Sequence, residues 1–101
     1  MQHNFEDIVI GAAARIVVSI KNDVNVAADP SALRLKTKSP SGTLVTYTYL
    51  TGTVIVKSAV GEYYANVIMT EAGSWAYRWE SDAPNAGADE GRILVKKSMV
   101  I

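Results

Sequence analysis

Apolar and polar residues alternate along most of this chain. Ala14, Ile16, Val18 and Ile20 share one side of a period-two repeat, and Arg15, Val17, Ser19 and Lys21 take the other. Leu33, Leu35 and Thr37 oppose Arg34, Lys36 and Lys38, and Val45, Tyr47 and Tyr49 oppose Thr46 and Thr48. The same holds for Tyr63-Ala65-Val67-Met69 against Tyr64-Asn66-Ile68, for Trp75-Tyr77-Trp79 against Ala76-Arg78-Glu80, and for Ile93-Val95 against Arg92-Leu94-Lys96. A period of two puts each set on one face of a strand. With the β-prone runs Phe5–Ile10 and Thr53–Lys57, the pattern predicts about eight strands. Two packed antiparallel sheets are the natural way to bury one face of each. No stretch of helical length repeats its apolar residues at helical spacing behind a cap.

Turn residues punctuate the alternation at roughly ten-residue spacing, the cadence of a sandwich or barrel. They are Gly11, Asn22-Asp23, Asp29-Pro30, Ser39-Pro40-Ser41-Gly42, Thr51-Gly52, Gly61, Ala72-Gly73 and the run Asp82 to Gly91. Proline second and glycine fourth in Ser39-Pro40-Ser41-Gly42 suit a type I turn joining Leu33–Lys38 to Thr43–Tyr49. Thr51-Gly52 suits a tight hairpin with glycine at positive φ. Asp82 to Gly91 is rich in Ala, Gly, Asp and Pro and reads as a loop at one end of the sandwich.

Composition agrees with strands. Val (12), Ile (8) and Thr (7) outnumber Leu (5), and β-branched side chains lose rotamer freedom in helices. The 101 residues amount to one domain, spanning 1–101, and 49% hydrophobic residues are ample for a core. The absence of cysteine excludes a disulfide framework, a thiolate metal site and a cysteine nucleophile. The single histidine, His3, excludes a multi-histidine metal site within one chain. Ten basic residues balance ten acidic ones, which argues against generic nucleic-acid binding. The longest mostly apolar stretch, Ile8 to Ile20, is broken by Gly11, Arg15 and Ser19 and suits strands better than a membrane span. Glu6 and Asp7 precede it where a secretory signal would carry basic residues. The expectation is a protein made in a cytoplasm without a signal peptide or membrane anchor.

Candidate chemistry is sparse. No serine lies in a Gly-x-Ser-x-Gly setting, and His3 is remote from any partner in sequence. The acids Glu71, Glu80, Asp82, Asp89 and Glu90 fall mostly in predicted turns, where solvated carboxylates are the common case. Asp82, Asn85, Asp89 and Glu90 are oxygen donors, but their spacing fits no EF-hand loop. The expectation is therefore no enzyme, with no catalytic, cofactor-binding or metal residues.

Glu71-Ala72-Gly73-Ser74-Trp75-Ala76-Tyr77 resembles the turn into strand F of immunoglobulin-like domains, where an aromatic packs the corner and the residue two further on enters the core. Trp75 takes the corner place, and Tyr77 the place antibody domains give to a cysteine. Trp75, Tyr77 and Trp79 are then the core aromatics, and packing must hold the core without a disulfide. The resemblance implies an immunoglobulin-like antiparallel β-sandwich of seven or eight strands. In that fold Leu33–Lys38, Gly73–Asp82 and Gly91–Lys97 become strands C, F and G of one sheet. Their outward positions, Arg34, Lys36, Lys38, Arg78, Arg92 and Lys96, would form a basic face diluted by Glu80 and Leu94. These six are the candidate partner contacts, and Tyr64, opposite the apolar side of its strand, is a seventh.

The chain also resembles small immunoglobulin-like structural proteins of tailed bacteriophages. The resemblance runs through Ala14-Arg15-Ile16-Val17-Val18, Asp29-Pro30, Leu33-Arg34-Leu35-Lys36, Ser39-Pro40-Ser41-Gly42-Thr43 and Thr46-Tyr47-Thr48-Tyr49. It continues in Gly61-Glu62-Tyr63-Tyr64-Ala65, Glu71 to Trp79 and Glu90-Gly91-Arg92-Ile93-Leu94-Val95. It implies a virion protein, a head decoration first and a neck or tail component close behind. Partners would be other virion proteins, capsid, neck or tail, and copies of the chain itself, with no nucleic acid and no membrane. These are packing and turn positions, so no catalytic residue carries over. A carbohydrate-binding adhesion module, holding a phage on host glycans, is the alternative; it requires exposed aromatics.

Overall fold

A computed structural model describes residues 8–100. Seven strands run in the order β1 (Ala13–Ser19), β2 (Leu33–Lys38), β3 (Leu44–Thr48), β4 (Ile55–Ala59), β5 (Glu62–Ile68), β6 (Gly73–Ser81) and β7 (Gly87–Val95). They form a three-stranded sheet, β1-β5-β4, and a four-stranded sheet, β3-β2-β6-β7, with every strand pair antiparallel. Lettered B to G with β3 as C′, this is the B-E-D and C′-C-F-G order of an immunoglobulin-like sandwich. The expected fold class is the one observed.

Burial follows the alternation except in the edge strands β3 and β4, which fully bury Ile55 alone; Val45, on the expected inner side, is 39% exposed because no further strand covers that edge. Ala14, Ile16, Leu33, Leu35, Tyr63, Ala65, Val67, Trp75, Tyr77, Trp79, Ile93 and Val95 lie in one cluster between the sheets. β6 is the central element, flanked by β2 and β7, and its three aromatics all point inward. Trp79 is 1% exposed. Truncating a side chain of that kind costs about 3–5 kcal/mol, a large share of the stability of a small domain. Trp75 donates its indole N–H to the carbonyl of Glu71 at 2.9 Å, which anchors the corner into β6. Tyr77 stands opposite Gly91, and its ring occupies the space that a side chain on Gly91 would need. Tyr49 meets Tyr63 edge-on, with ring centroids 5.1 Å apart.

Four local expectations change. The run Asp82 to Gly91 is a loop only as far as Ala86; Gly87 to Gly91 extend β7, pairing with Ser81 to Tyr77. Backbone groups of β6 need partners along its whole length, and that demand outweighs the weak β propensity of Gly, Ala and Asp. Thr51-Gly52 is not a hairpin, because β3 and β4 belong to different sheets and the segment carries the chain between them. The tight turn there is Thr48 to Thr51, closed by Thr51 N–H donating to the Thr48 carbonyl at 3.1 Å, with Leu50 at φ 71°. The next strand starts at Ile55, so only part of Thr53–Lys57 is extended. Of Phe5–Ile10, Phe5 to Asp7 lie outside the described residues, and Val9 makes a single parallel bridge to Lys96. The turn at Ser39 to Gly42 forms as expected, with Gly42 N–H donating to the Ser39 carbonyl at 2.9 Å.

One end of the sandwich is locked by Asp29 and Gly61. Asp29 Oδ1 accepts from the Gly61 N–H at 2.9 Å and from the Tyr63 hydroxyl at 2.8 Å, while Oδ2 takes Lys57 Nζ at 2.7 Å. The Asp29 carbonyl accepts from Asn85 Nδ2 at 2.7 Å. One residue thus ties the β1–β2 connection to the β4–β5 hairpin and to the β6–β7 loop. Those bonds, led by the one to Lys57, hold the Asp29 carboxyl at about 2. Burial, reinforced by Asp29, pushes the Tyr63 phenol upward.

Gly61 sits at φ 71°, and a Cβ there would lie 2.5 Å from the Ile20 carbonyl oxygen and 2.8 Å from the Ala28 nitrogen. Both are backbone atoms that cannot rotate away. Gly61→Ala is expected to lower stability by about 2 kcal/mol or more through left-handed strain and overpacking together. Gly52→Ala, at φ 92° with nothing within 4 Å, should cost only the strain. Urea unfolding of the two variants beside the parent chain checks the order, and equal losses would remove the close-approach explanation.

Candidate functional site

Period two fixes what β6 shows to solvent once its aromatics are inside. Ser74, Ala76, Arg78 and Glu80 face outward, beside Arg34, Lys36 and Lys38 of β2 and Ala88, Glu90, Arg92 and Leu94 of β7. The structure therefore brings five of the six basic candidates onto one sheet face. Lys96 stands just past β7, its N–H donating to the Ile8 carbonyl at 2.8 Å and its carbonyl accepting from the Ile10 N–H at 3.0 Å.

The face is not uniformly basic. Glu80 lies at its centre with a side chain only 17% exposed. Its Oε1 is 2.8 Å from Arg34 Nε and 3.2 Å from Lys36 Nζ, and its Oε2 is 2.8 Å from Arg78 Nε. Arg34 also reaches Asp82 at 3.2 Å, and Arg78 reaches Glu90 at 2.8 Å. The bond from Arg78, with those from Arg34 and Lys36, holds the Glu80 carboxyl at about 2. Three candidate contacts, Arg34, Lys36 and Arg78, are thus spent on the chain's own carboxylates. The expectation that the acids sit mostly in turns fails here, since Glu80, Asp89 and Glu90 all lie on strands.

Lys38 and Arg92 behave differently. Both are exposed, and no ion pair among the described residues includes either. They flank Ala76 in one cross-strand row, Lys38 pairing with Ala76 and Ala76 with Arg92. A shallow groove of about 500 Å³ runs over this row, lined by Lys36, Lys38, Leu44, Ala76, Arg78 and Arg92 with Glu90 at its side. Sequence listed Lys38 and Arg92 among six equals. Ala76, the residue that opens the gap between them, was missed, because an alanine carries no chemical signal until its neighbours are known.

Tyr64 lies on the outer face of the other sheet, half-buried, with the Arg15 guanidinium 3.8 Å above its ring. It is a stacked pair there, distant in topology from the basic row. A second concavity of about 160 Å³ lies where the end of β1 meets the β6–β7 loop, with Trp79 and Leu33 among its walls. The Trp79 indole N–H has no acceptor among the described residues. No group of three or more metal-ligating side chains occurs among the described residues. Met99 and Val100 are 100% and 90% exposed.

No family model matches the chain, and no curated protein matches it either.

Glu80 makes the face pH-dependent. Its carboxyl is lowered from 4.5 in the unfolded chain, so its contribution to stability is complete above that value and is lost as the pH falls toward about 2. Glu80→Gln is expected to lower the melting temperature by a few degrees at pH 7. The gap should close as the pH drops through that window, leaving a shallower acid limb in which Asp29 still titrates. Melts at intervals between pH 7 and pH 2 check this, and a constant gap would show that the cluster contributes through packing alone.

Proposed function

We propose that the protein is a non-enzymatic structural component of a tailed-phage virion, docking in multiple copies on another virion protein. Head decoration is the first choice of position and a neck or tail site the second. The observation that carries the docking reading is the outward C′-C-F-G face, where charged side chains are fixed by ion pairs around a groove holding two uncompensated cations. A pre-ordered face of this kind pays little side-chain entropy on association and orients its partner by charge. The virion itself enters through the sequence resemblance alone.

The glycan-binding alternative needs an aromatic platform in solvent. Trp75 and Trp79 are 6% and 1% exposed, and Tyr64 is covered by Arg15. Acrylamide should therefore quench the native tryptophan fluorescence weakly, with full quenching restored on unfolding. Strong quenching of the folded chain would return the tryptophans to the surface and the glycan reading with them.

Copy counting by mass spectrometry on purified particles tests the virion reading. Copies on the order of hundreds per particle mean a head lattice, and about six to twelve mean a ring at the neck or tail. Absence from the particles would overturn the proposal.

A further inference from the structure

The outward face of the four-stranded sheet is built in cross-strand rows. One reads Thr48, Arg34, Glu80, Ala88; the next Thr46, Lys36, Arg78, Glu90; the third Leu44, Lys38, Ala76, Arg92. The first two rows contain their own carboxylates, and every cation in them is paired. The third contains none. On β6, Ala76 puts a methyl group between Lys38 and Arg92, the place that Glu80 fills between Arg34 and Ala88 two rows away.

We infer that the row Lys38–Ala76–Arg92 is a docking site for a carboxylate side chain of a protein partner, with Leu44 receiving a neighbouring apolar side chain. This inference rests on the docking role proposed above and names the chemistry of the partner. Strands lie about 4.8 Å apart, so Lys38 and Arg92 leave the sheet about 10 Å from each other across Ala76. Two long side chains at that separation can both reach one acidic group, and the guanidinium offers a planar fork that matches a carboxylate. Leu44, 63% exposed, ends the row. It lies two strand spacings from Ala76, again about 10 Å, the reach of three extended residues.

The surroundings select among anions. Glu90 lines the same groove but is paired with Arg78, so a polyanion crossing the face would find uncompensated cations in this one row only. That favours a single carboxylate over a nucleic-acid backbone. A second copy of the chain fits poorly as well. Two faces stacked about a two-fold axis through this row would set cations against cations.

The test is an NMR titration of the isotope-labelled full chain with the peptide acetyl-Leu-Gly-Gly-Glu-amide. The expected result is saturable shifts confined to Leu44, Lys38, Ala76 and Arg92 that weaken with added salt. A Gln-for-Glu peptide should bind about tenfold more weakly, the scale of one lost charge-assisted hydrogen bond. Ala76→Glu supplies the missing carboxylate from within, so that variant should stay folded and lose the peptide to a similar degree. If it unfolds, the double variant Lys38→Ala, Arg92→Ala must show the same loss. Three results overturn the inference: shifts spread equally over Lys21 and Lys97, tighter binding of a short oligonucleotide, or movement of the row with protein concentration alone. The titration needs no particle. A chain that binds the peptide but is missing from particles loses the virion reading and keeps the site; a chain counted on particles but blind to the peptide loses the site and keeps the reading.

Discussion

Everything on the exposed face of this molecule follows from the alternation of side chains along β6. A strand cannot bury Trp75, Tyr77 and Trp79 on one side without presenting Ser74, Ala76, Arg78 and Glu80 on the other. The three aromatics are the largest set of side chains that any one strand gives to the core, in a chain that has no disulfide to hold its sheets together. A slip of one residue would put all three in water and the Arg78–Glu80 pair in the core, at a cost no surface contact offsets. The register of β6 is therefore fixed from inside. The outward row pattern, including the gap at Ala76, is fixed along with it.

The charge arrangement is a second consequence of that register. Glu80 is one carboxylate among three cations drawn from two strands, and it sits at the centre of a face that would otherwise repel itself. Isolated surface ion pairs contribute little, but a shared acceptor orders three long side chains together. What remains available to a partner is the row that Glu80 does not reach. The face thus combines rigidity at one end with uncompensated charge at the other.

The opposite requirement, holding the two sheets in place at their open end, falls to Asp29 and Gly61. Asp29 ties its own connection to two others through four hydrogen bonds, and Gly61 lets two backbone segments approach more closely than any side chain would allow. The tie is made of polar contacts, so it responds to pH through the Asp29 carboxyl. Gly91 plays a related part within the sheet, ceding its own volume to the ring of Tyr77.

Most of the strands, the buried faces of β1, β2, β5 and β6, the β2–β3 turn and the inward set Trp75, Tyr77 and Trp79 were legible in the order of residues, because a period of two is a local property that each segment carries alone. So was the assignment of Arg34, Lys36, Lys38, Arg78 and Arg92 to outward positions, which follows from the same parity. The tertiary structure decided the rest. Gly87 to Gly91 became strand only because β6 offered them a partner, and Thr51-Gly52 became a crossing only because β3 and β4 joined different sheets. Most decisively, which cations are neutralised depends on residues 44 and 46 positions away reaching one carboxylate. Parity says which way a side chain points; only register across strands says what it meets, and a pair of charges is worth nothing until both are in the same place.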